Sequence, residues 1–351
     1  MKTWNAIIAG GGIIGLSLAI ALRKRGLQVL VVERGEPGRE ASHAAAGMLA
    51  ECPIETPAAL RALARASAAM YPEFVHELED ESGVKVDLRD SGTILFTEAA
   101  AGLPGALASL QGLEPNLAAP AGHAYYLEER SVDPRTLVAA AIQAARHRKV
   151  DISSGSPVLA VLAENGRVTG VQTDRTSYQA PVVVNCAGAW ACQVSPYLIP
   201  TRPVKGQILS VIGGPTIRHV VRAPEVYLVP RSDGRIVIGA TAEDAGYDKR
   251  TNPETIQKLY RAAARLAPGL AKAKIHEAWA GLRPGTPDGL PVLGPAAVSG
   301  YFAATGHFRD GILLAPVTAA IMAELITEGS TAHDVSAFSP DRFEKTLQRA
   351  G

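Results

Sequence analysis

Apolar residues recur along this chain in two alternating rhythms. Residues 5–9 are a short uninterrupted apolar run that opens into the glycine-rich stretch 10–15. Residues 16–25 are then apolar at helical spacing and end in basic residues before Gly26, and a second run, 28–32, stops at Glu33. Short apolar runs bounded by glycine predict strands buried on both faces, and a helix between them makes them parallel neighbours. Helical spacing returns over 57–81, ending near Gly83. Asp133 is a good N-cap with Pro134 at the first helical position, for a helix to about His147, and Asn252 with Pro253 does the same for 254–267. In the latter, Ile256, Leu259, Tyr260 and Ala263 share one face. Period-two alternation predicts strands at 85–88 and 93–97, and a hairpin of 158–162 with 168–172 through the Asn165-Gly166 turn. The apolar run 181–185 ends in small residues and is expected to return to the first sheet. Antiparallel strands are expected at 206–212, 226–230 and 235–241, and a further strand, 275–282, delivers the chain to Arg283.

The resulting fold class is α/β: a Rossmann-type domain of 1–82, 128–199 and 284–351, interrupted by 83–127 and 200–283, which build a separate antiparallel sheet. Residues 99–117, rich in alanine, glycine, leucine and proline, read as short helices and loops. Two segments imitate membrane elements. Residues 7–22 are broken by glycines and followed by Arg23-Lys24-Arg25 where a signal-peptide cleavage site would be needed. Residues 311–326 hold Pro316 and Glu324 and fall short of a span of roughly 20 residues, so they predict a buried helix.

A chain of 351 residues with 47% hydrophobic residues has material for two or three domains and a real core. Lysine plus arginine number 35 against 34 for aspartate plus glutamate, which gives no electrostatic footprint for nucleic acid or an anionic membrane. The cluster from Arg146 to Lys149 reads as the solvated end of a helix. Cys52, Cys186 and Cys192 are an odd set without metal spacing, expected to be reduced, buried thiols in a cytoplasmic protein. The eight histidines are scattered, and no metal site is expected.

The candidate chemistry begins at the glycines. Gly10 permits a tight turn, Gly12 lets the backbone approach a pyrophosphate, and Gly15 lets the helix sit close to the strand. Glu33, at the tip of the second strand, is placed to accept hydrogen bonds from a ribose. The small residues from Ala44 to Gly47 permit the close approach of a flat cofactor edge, and a small-residue turn at Ala187 and Gly188 suits a second part of the same site. Arg283, restrained by Pro284 and Gly285, offers a rigid fork for a carboxylate, although a structural salt bridge would use it equally well. Gly306 and Gly311 flank a polar turn that opens the buried helix, an N-terminus ready to face negative charge.

These segments resemble, over essentially the whole length, the glycine oxidase branch of the D-amino-acid oxidase family of FAD-dependent amine oxidases. The resemblance rests on Gly10 to Gly15, Glu33-Arg34, Ser42 to Met48, Tyr227 to Arg231, Gly239-Ala240-Thr241, Trp279 to Gly285 and Gly306 to Pro316. It implies that Arg283 and the Tyr227 hydroxyl bind a substrate carboxylate and that Arg309 lines the same pocket. It implies FAD contacts from Ile13, Ile14, Glu33, Arg34, Ser42, Ala46, Gly47, Met48 and Val158. His307, Phe308, Arg309, Asp310, Gly311, Ile312 and Leu313 are implied as FAD neighbours too.

Glycine or another small primary or secondary amino acid would then become a 2-oxo acid, ammonia or amine, and hydrogen peroxide formed from dioxygen. Supply of thiamine thiazole synthesis is what the family implies. Two departures bear on the pocket: Ala242 stands where family members carry methionine, and Glu225 where they carry histidine. The first would enlarge the pocket, and the second would add an acid. A D-amino-acid dehydrogenase, a sarcosine-type oxidase and a flavin-binding subunit are the competing readings. A homo-oligomer is expected, with neither nucleic acid nor a membrane as partner.

Overall fold

The computed structural model describes residues 3–98, 100, 103, 105–107, 110, 112–118, 122–296 and 298–343. Its central sheet has six strands in the order Val292–Pro295, Tyr301–Thr305, Val182–Asn185, Ala6–Ala9, Val29–Glu33, Asp151–Ser154. All neighbours run parallel except the first pair. Ala6–Ala9 and Val29–Glu33 are buried at every position because both faces are covered, which is why they read as unbroken apolar runs. Ala6, Ile8, Val29 and Val31 pack toward the helices Ile13–Lys24, Arg61–Ser82, Pro134–His147 and Ala315–Glu328. Ile7, Leu30, Val32 and Val183 pack on the other side, against Val161, Val168 and Val171 of a three-stranded sheet, Val158–Glu164, Arg167–Thr173 and Ser177–Gln179. The Asn165-Gly166 turn joins the first two of these strands with φ of 49° and 74°, as a tight hairpin turn requires.

The second large sheet has seven strands in the order Lys274–Gly285, Arg202–Ile212, Ile236–Gly239, Tyr227–Pro230, Val220–Arg222, Thr93–Thr97, His123–Leu127. Its faces divide by residue parity. Leu209, Leu228 and Ile238 pack with the helix Pro253–Leu266, whereas Ile208, Val229 and Val237 pack with Ala46 and beside Met48 and Tyr227. The second face therefore looks toward the central sheet's glycine turn. Caps fall where the sequence puts them: Asp133 accepts from Arg135 N at 2.9 Å, and Asn252 accepts from Glu254 N and Thr255 N at 2.9 and 3.1 Å.

Several elements differ from expectation: the strands His123–Leu127, Asp151–Ser154, Val292–Pro295 and Tyr301–Thr305 are not in the pattern, and Val220–Arg222 pairs with Thr93–Thr97 in parallel within the sheet expected to be antiparallel. The first helix begins at Ile13, so Gly15 lies inside it. The run 85–88 contributes only Leu88–Arg89, because Val84 N and Val86 N are taken by the Ser82 hydroxyl and the Glu79 carboxylate at 3.0 and 2.7 Å. Val220–Arg222 is a strand the pattern did not reveal, too short to show a period. Much of 99–117 lies outside the described residues. No helix among the described residues is long and apolar enough to cross a membrane.

Candidate active site

Between the glycine turn and the inner face of the seven-stranded sheet lies a cavity of about 460 Å³. At one end are Gly12, Ile13, Glu33, Arg34 and Val158, and at the other Tyr227, Arg283, His307 and Arg309. The first helix points its N-terminus into this space. The Ser42 hydroxyl accepts from Ile13 N at 3.0 Å, while the amides of Gly12 and Ile14 donate to no acceptor among the described residues. Side chains at Gly10 and Gly15 would strike backbone, with a Cβ only 2.4 Å from the Cys186 carbonyl oxygen in the first case and 2.0 Å from that of Gly10 in the second. A Cβ at Gly12 would meet only the Ser42 hydroxyl, at 3.2 Å, so the chain there stays open to a ligand. Glu33 is buried and its two oxygens accept from Gly11 N at 2.7 Å and Gly35 N at 2.9 Å. Each carboxylate oxygen still has capacity for a ribose hydroxyl.

Buried polar contacts hold the flat middle wall, Ala44 to Met48. Trp279 Nε1 donates to the Ala44 carbonyl at 3.1 Å and Arg231 Nη2 to the Ala46 carbonyl at 2.6 Å. The opposite wall is the turn after Thr305. Tyr71 donates to the Ile312 carbonyl and Ser67 to that of Leu313, at 2.6 Å in the second case, so the helix Arg61–Ser82 braces it. The amides of Gly311, Ile312 and Leu313 donate to no acceptor among the described residues. Burial pulls the His307 imidazole down to about 3. That ring is therefore neutral, with Nε2 3.1 Å from the Thr318 hydroxyl.

Arg283 lies within the strand Lys274–Gly285 opposite Val204, and its guanidinium crosses toward Gly206. A Cβ at Gly206 would lie 2.5 Å from both Nη atoms, so the glycine makes the space the fork occupies. Nη1 donates to the Thr241 carbonyl at 3.0 Å, and no carboxylate pairs with Arg283 among the described residues. Burial lowers its pKa, with Tyr227 opposing and Arg309 adding to the shift. Burial pushes the Tyr227 phenol up to about 12, so it stays a donor. Arg309 is exposed and touches the Glu55 carbonyl at 3.5 Å.

Most of the expected residues meet here: Gly10, Gly12, Ile13, Ile14, Glu33, Arg34, Ser42, Ala46, Gly47, Met48, Val158, Ala187, Gly188, His307, Phe308, Arg309, Gly311 and Ile312 line the cavity with Tyr227 and Arg283. Five do not. Gly15 is buried in the helix–strand contact. Leu313 is buried, its carbonyl held by Ser67. Asp310 braces the turn, donating to the His307 carbonyl at 2.9 Å and accepting from Leu314 N at 2.8 Å. Ala242 is exposed, just past the end of the strand Ile236–Gly239, and does not line the cavity. Glu225 lies on the far face, 2.5 Å from Arg265 of the helix Pro253–Leu266. Both substitutions read as pocket changes are thus outside the pocket wall. Sequence reading missed Trp190, Glu40 and Gly206 in the lining. Only Gly206 carried a signal, a glycine inside an alternating strand, which marks close approach.

A cavity with an anion-seeking helix end, a ribose-competent acid and a long flat wall fits an adenine–flavin dinucleotide. The chain belongs to the FAD-dependent oxidoreductases, whose family model matches residues 5–325. It is 37% identical to the bifunctional protein ThiO/ThiG of Synechocystis over 98% of its own length and 55% of that protein's, so it spans about half the length of such relatives. It is 35% identical to the glycine oxidase of Bacillus licheniformis, covering 98% of each chain. The structure superposes on glycine oxidase from Geobacillus kaustophilus with a TM-score of 0.91 at 31% identity, covering 97% of this chain and 98% of that one.

Proposed function

We propose that this protein oxidises glycine and other small primary or secondary amino acids to a 2-oxo acid, ammonia or amine, and hydrogen peroxide, in the service of thiamine thiazole synthesis. The observation that carries the reading is the half-buried Arg283 guanidinium, which faces the cavity beside the Tyr227 hydroxyl with no carboxylate among the described residues to neutralise it. Bound FAD would supply the acceptor for a hydride leaving the substrate α-carbon, and dioxygen the final oxidant. Arg283 holds two carboxylate oxygens and Tyr227 donates a third hydrogen bond, which fixes the α-carbon's direction. The free amides of Gly311, Ile312 and Leu313, at the entry to the helix Ala315–Glu328, hold positive potential on the wall where negative charge would gather. His307, neutral and engaged with Thr318, takes no proton. The substrate amine must arrive deprotonated, and water hydrolyses the released imine.

Anaerobic titration of the yellow protein with glycine, sarcosine and each alanine enantiomer tests this. Bleaching by glycine and sarcosine, with colour and peroxide returning in air, is expected. Absence of bleaching by any small amino acid overturns it.

A further inference from the structure

Beyond Glu243 the chain leaves the seven-stranded sheet as a loop that ends at Asn252, the N-cap of the helix Pro253–Leu266, and Gln207 holds both of its ends. Gln207 is buried within the strand Arg202–Ile212. Its backbone N–H donates to the Thr241 hydroxyl at 2.9 Å, and its Nε2 donates to the Glu243 carboxylate at 2.8 Å. At the other end its Oε1 accepts from Asn252 N at 2.6 Å. Glu243 and Lys205 exchange backbone hydrogen bonds at 2.9 Å. A surface loop closed in this way holds its tip in a defined place.

The tip does not rest on its own sheet. Tyr247 stacks on Trp190 with ring centroids 5.4 Å apart and donates to the Ala189 carbonyl at 3.0 Å. The Arg34 guanidinium lies over the same Trp190 ring, 4.1 Å from its centroid. Lys249 Nζ lies 3.0 Å from both Glu40 oxygens. Trp190, Arg34 and Glu40 all line the cavity, so the loop reaches two parts of the cofactor wall from outside.

We propose that Tyr247 is a cofactor-positioning residue: carried on the loop that Gln207 closes, it holds Trp190 and Arg34 as the outer wall of the FAD cavity and so governs how slowly FAD leaves. The inference rests on the FAD assignment, not on the identity of the amine substrate. Tyr247 touches no reacting atom. Its loop is joined to the substrate clamp through Thr241, whose carbonyl accepts from Arg283.

The test is the rate of FAD release from holoenzyme into a flavin-scavenging apoprotein, followed by fluorescence. Tyr247→Ala should release FAD about 3- to 10-fold faster, the range an aromatic stack supports. Tyr247→Phe and Tyr247→Trp, which keep the stack, should stay within about twofold. At saturating FAD, KM for the amino acid should not change in any of them. Unaltered release from Tyr247→Ala overturns the proposal, as does an equal acceleration in Tyr247→Phe. A second measurement needs no substitution: FAD should slow tryptic cleavage after Lys249 and Arg250 more than after the exposed Arg175 of the 167–179 hairpin. Equal protection at both places also overturns the proposal. Failure of the amine assay alone would leave both of these readouts intact.

Discussion

Replacing Arg283 should move activity and stability in opposite directions. In Arg283→Met the side-chain stem keeps its length, and the guanidinium that occupies the space above Gly206 is lost. Truncating one member of a buried, hydrogen-bonded charge pair costs about 2–5 kcal/mol, so kcat/KM for glycine should fall roughly 30- to 5000-fold. The site favours the upper part of that range. The Tyr227 hydroxyl is then the remaining clamp donor, and one neutral hydrogen bond contributes only about 0.5–1.5 kcal/mol. Both kcat and KM should suffer, because a carboxylate held at one point no longer aims the α-carbon. In the substrate-free protein, by contrast, the charge has no carboxylate partner among the described residues and is partly desolvated. Removing it should relieve about 1–3 kcal/mol while the Thr241 carbonyl loses its donor at a cost of about 1 kcal/mol. The net gain of about 1 kcal/mol should raise Tm by roughly 2 °C. Steady-state kinetics with thermal melts of substrate-free holoenzyme decide the matter. Near-normal efficiency on amino acids would falsify the clamp, and a clear drop in Tm would show that the Arg283 hydrogen bond to the Thr241 carbonyl outweighs the desolvation of its charge.

Three further outcomes follow from particular contacts. Gly206→Ala places a methyl against the Arg283 fork and should lower kcat/KM for glycine at least about tenfold, as a misplaced positioning group does, while FAD affinity measured by titration stays constant. His307 has its folded pKa lowered to about 3 from an unfolded value near 6.5, so the folded state binds fewer protons between those values and stability is lost as pH falls below about 6.5. The stability advantage of wild type over His307→Asn, from urea unfolding, should shrink by roughly 3 kcal/mol between pH 7 and pH 4; comparison with a variant is needed because Asp310, raised to about 6 by burial, works in the opposite sense over pH 4–6. Ala242→Met, at an exposed position off the cavity wall, should shift stability by no more than about 0.5 kcal/mol and leave the glycine-to-D-alanine efficiency ratio within about twofold; a tenfold change would return that side chain to the pocket.

The cofactor half was legible because its signals are local. Each strand of the Ala6–Ala9 and Val29–Glu33 pair is short, apolar and bounded by glycine or an acid, and the phosphate turn lies between them. Caps such as Asp133-Pro134 and Asn252-Pro253 announce themselves within a few residues. Ala242 and Glu225 were misplaced because a resemblance aligns positions without saying which way a side chain points once a strand has ended. Trp190 and Tyr247 were invisible for another reason. Their stack joins segments far apart in sequence, and nothing in either segment's own pattern requires the other. The Glu79 contact that stopped a strand at 85–88 is likewise a side-chain competition that alternation cannot register.

The order of strands in the central sheet has a consequence for the making of the molecule. Ala6–Ala9 pairs on one side with Val29–Glu33, made moments later, but on the other with Val182–Asn185. That strand in turn waits for Tyr301–Thr305. At about 5–20 residues per second, the first strand emerges roughly 10–35 s before its second neighbour exists. Through that interval an apolar strand keeps an unpaired edge, the geometry most prone to join another chain. The substrate-side strands Arg202–Ile212 and Lys274–Gly285 are made after Val182–Asn185 and before Tyr301–Thr305, so Arg283 is already synthesised before the turn at Gly306 closes the opposite wall. A ribosome-stalled chain ending before Tyr301 should therefore hold most of the substrate sheet and retain no flavin, and its yield should depend on whatever shields the edge of Val182–Asn185 that Tyr301–Thr305 would cover.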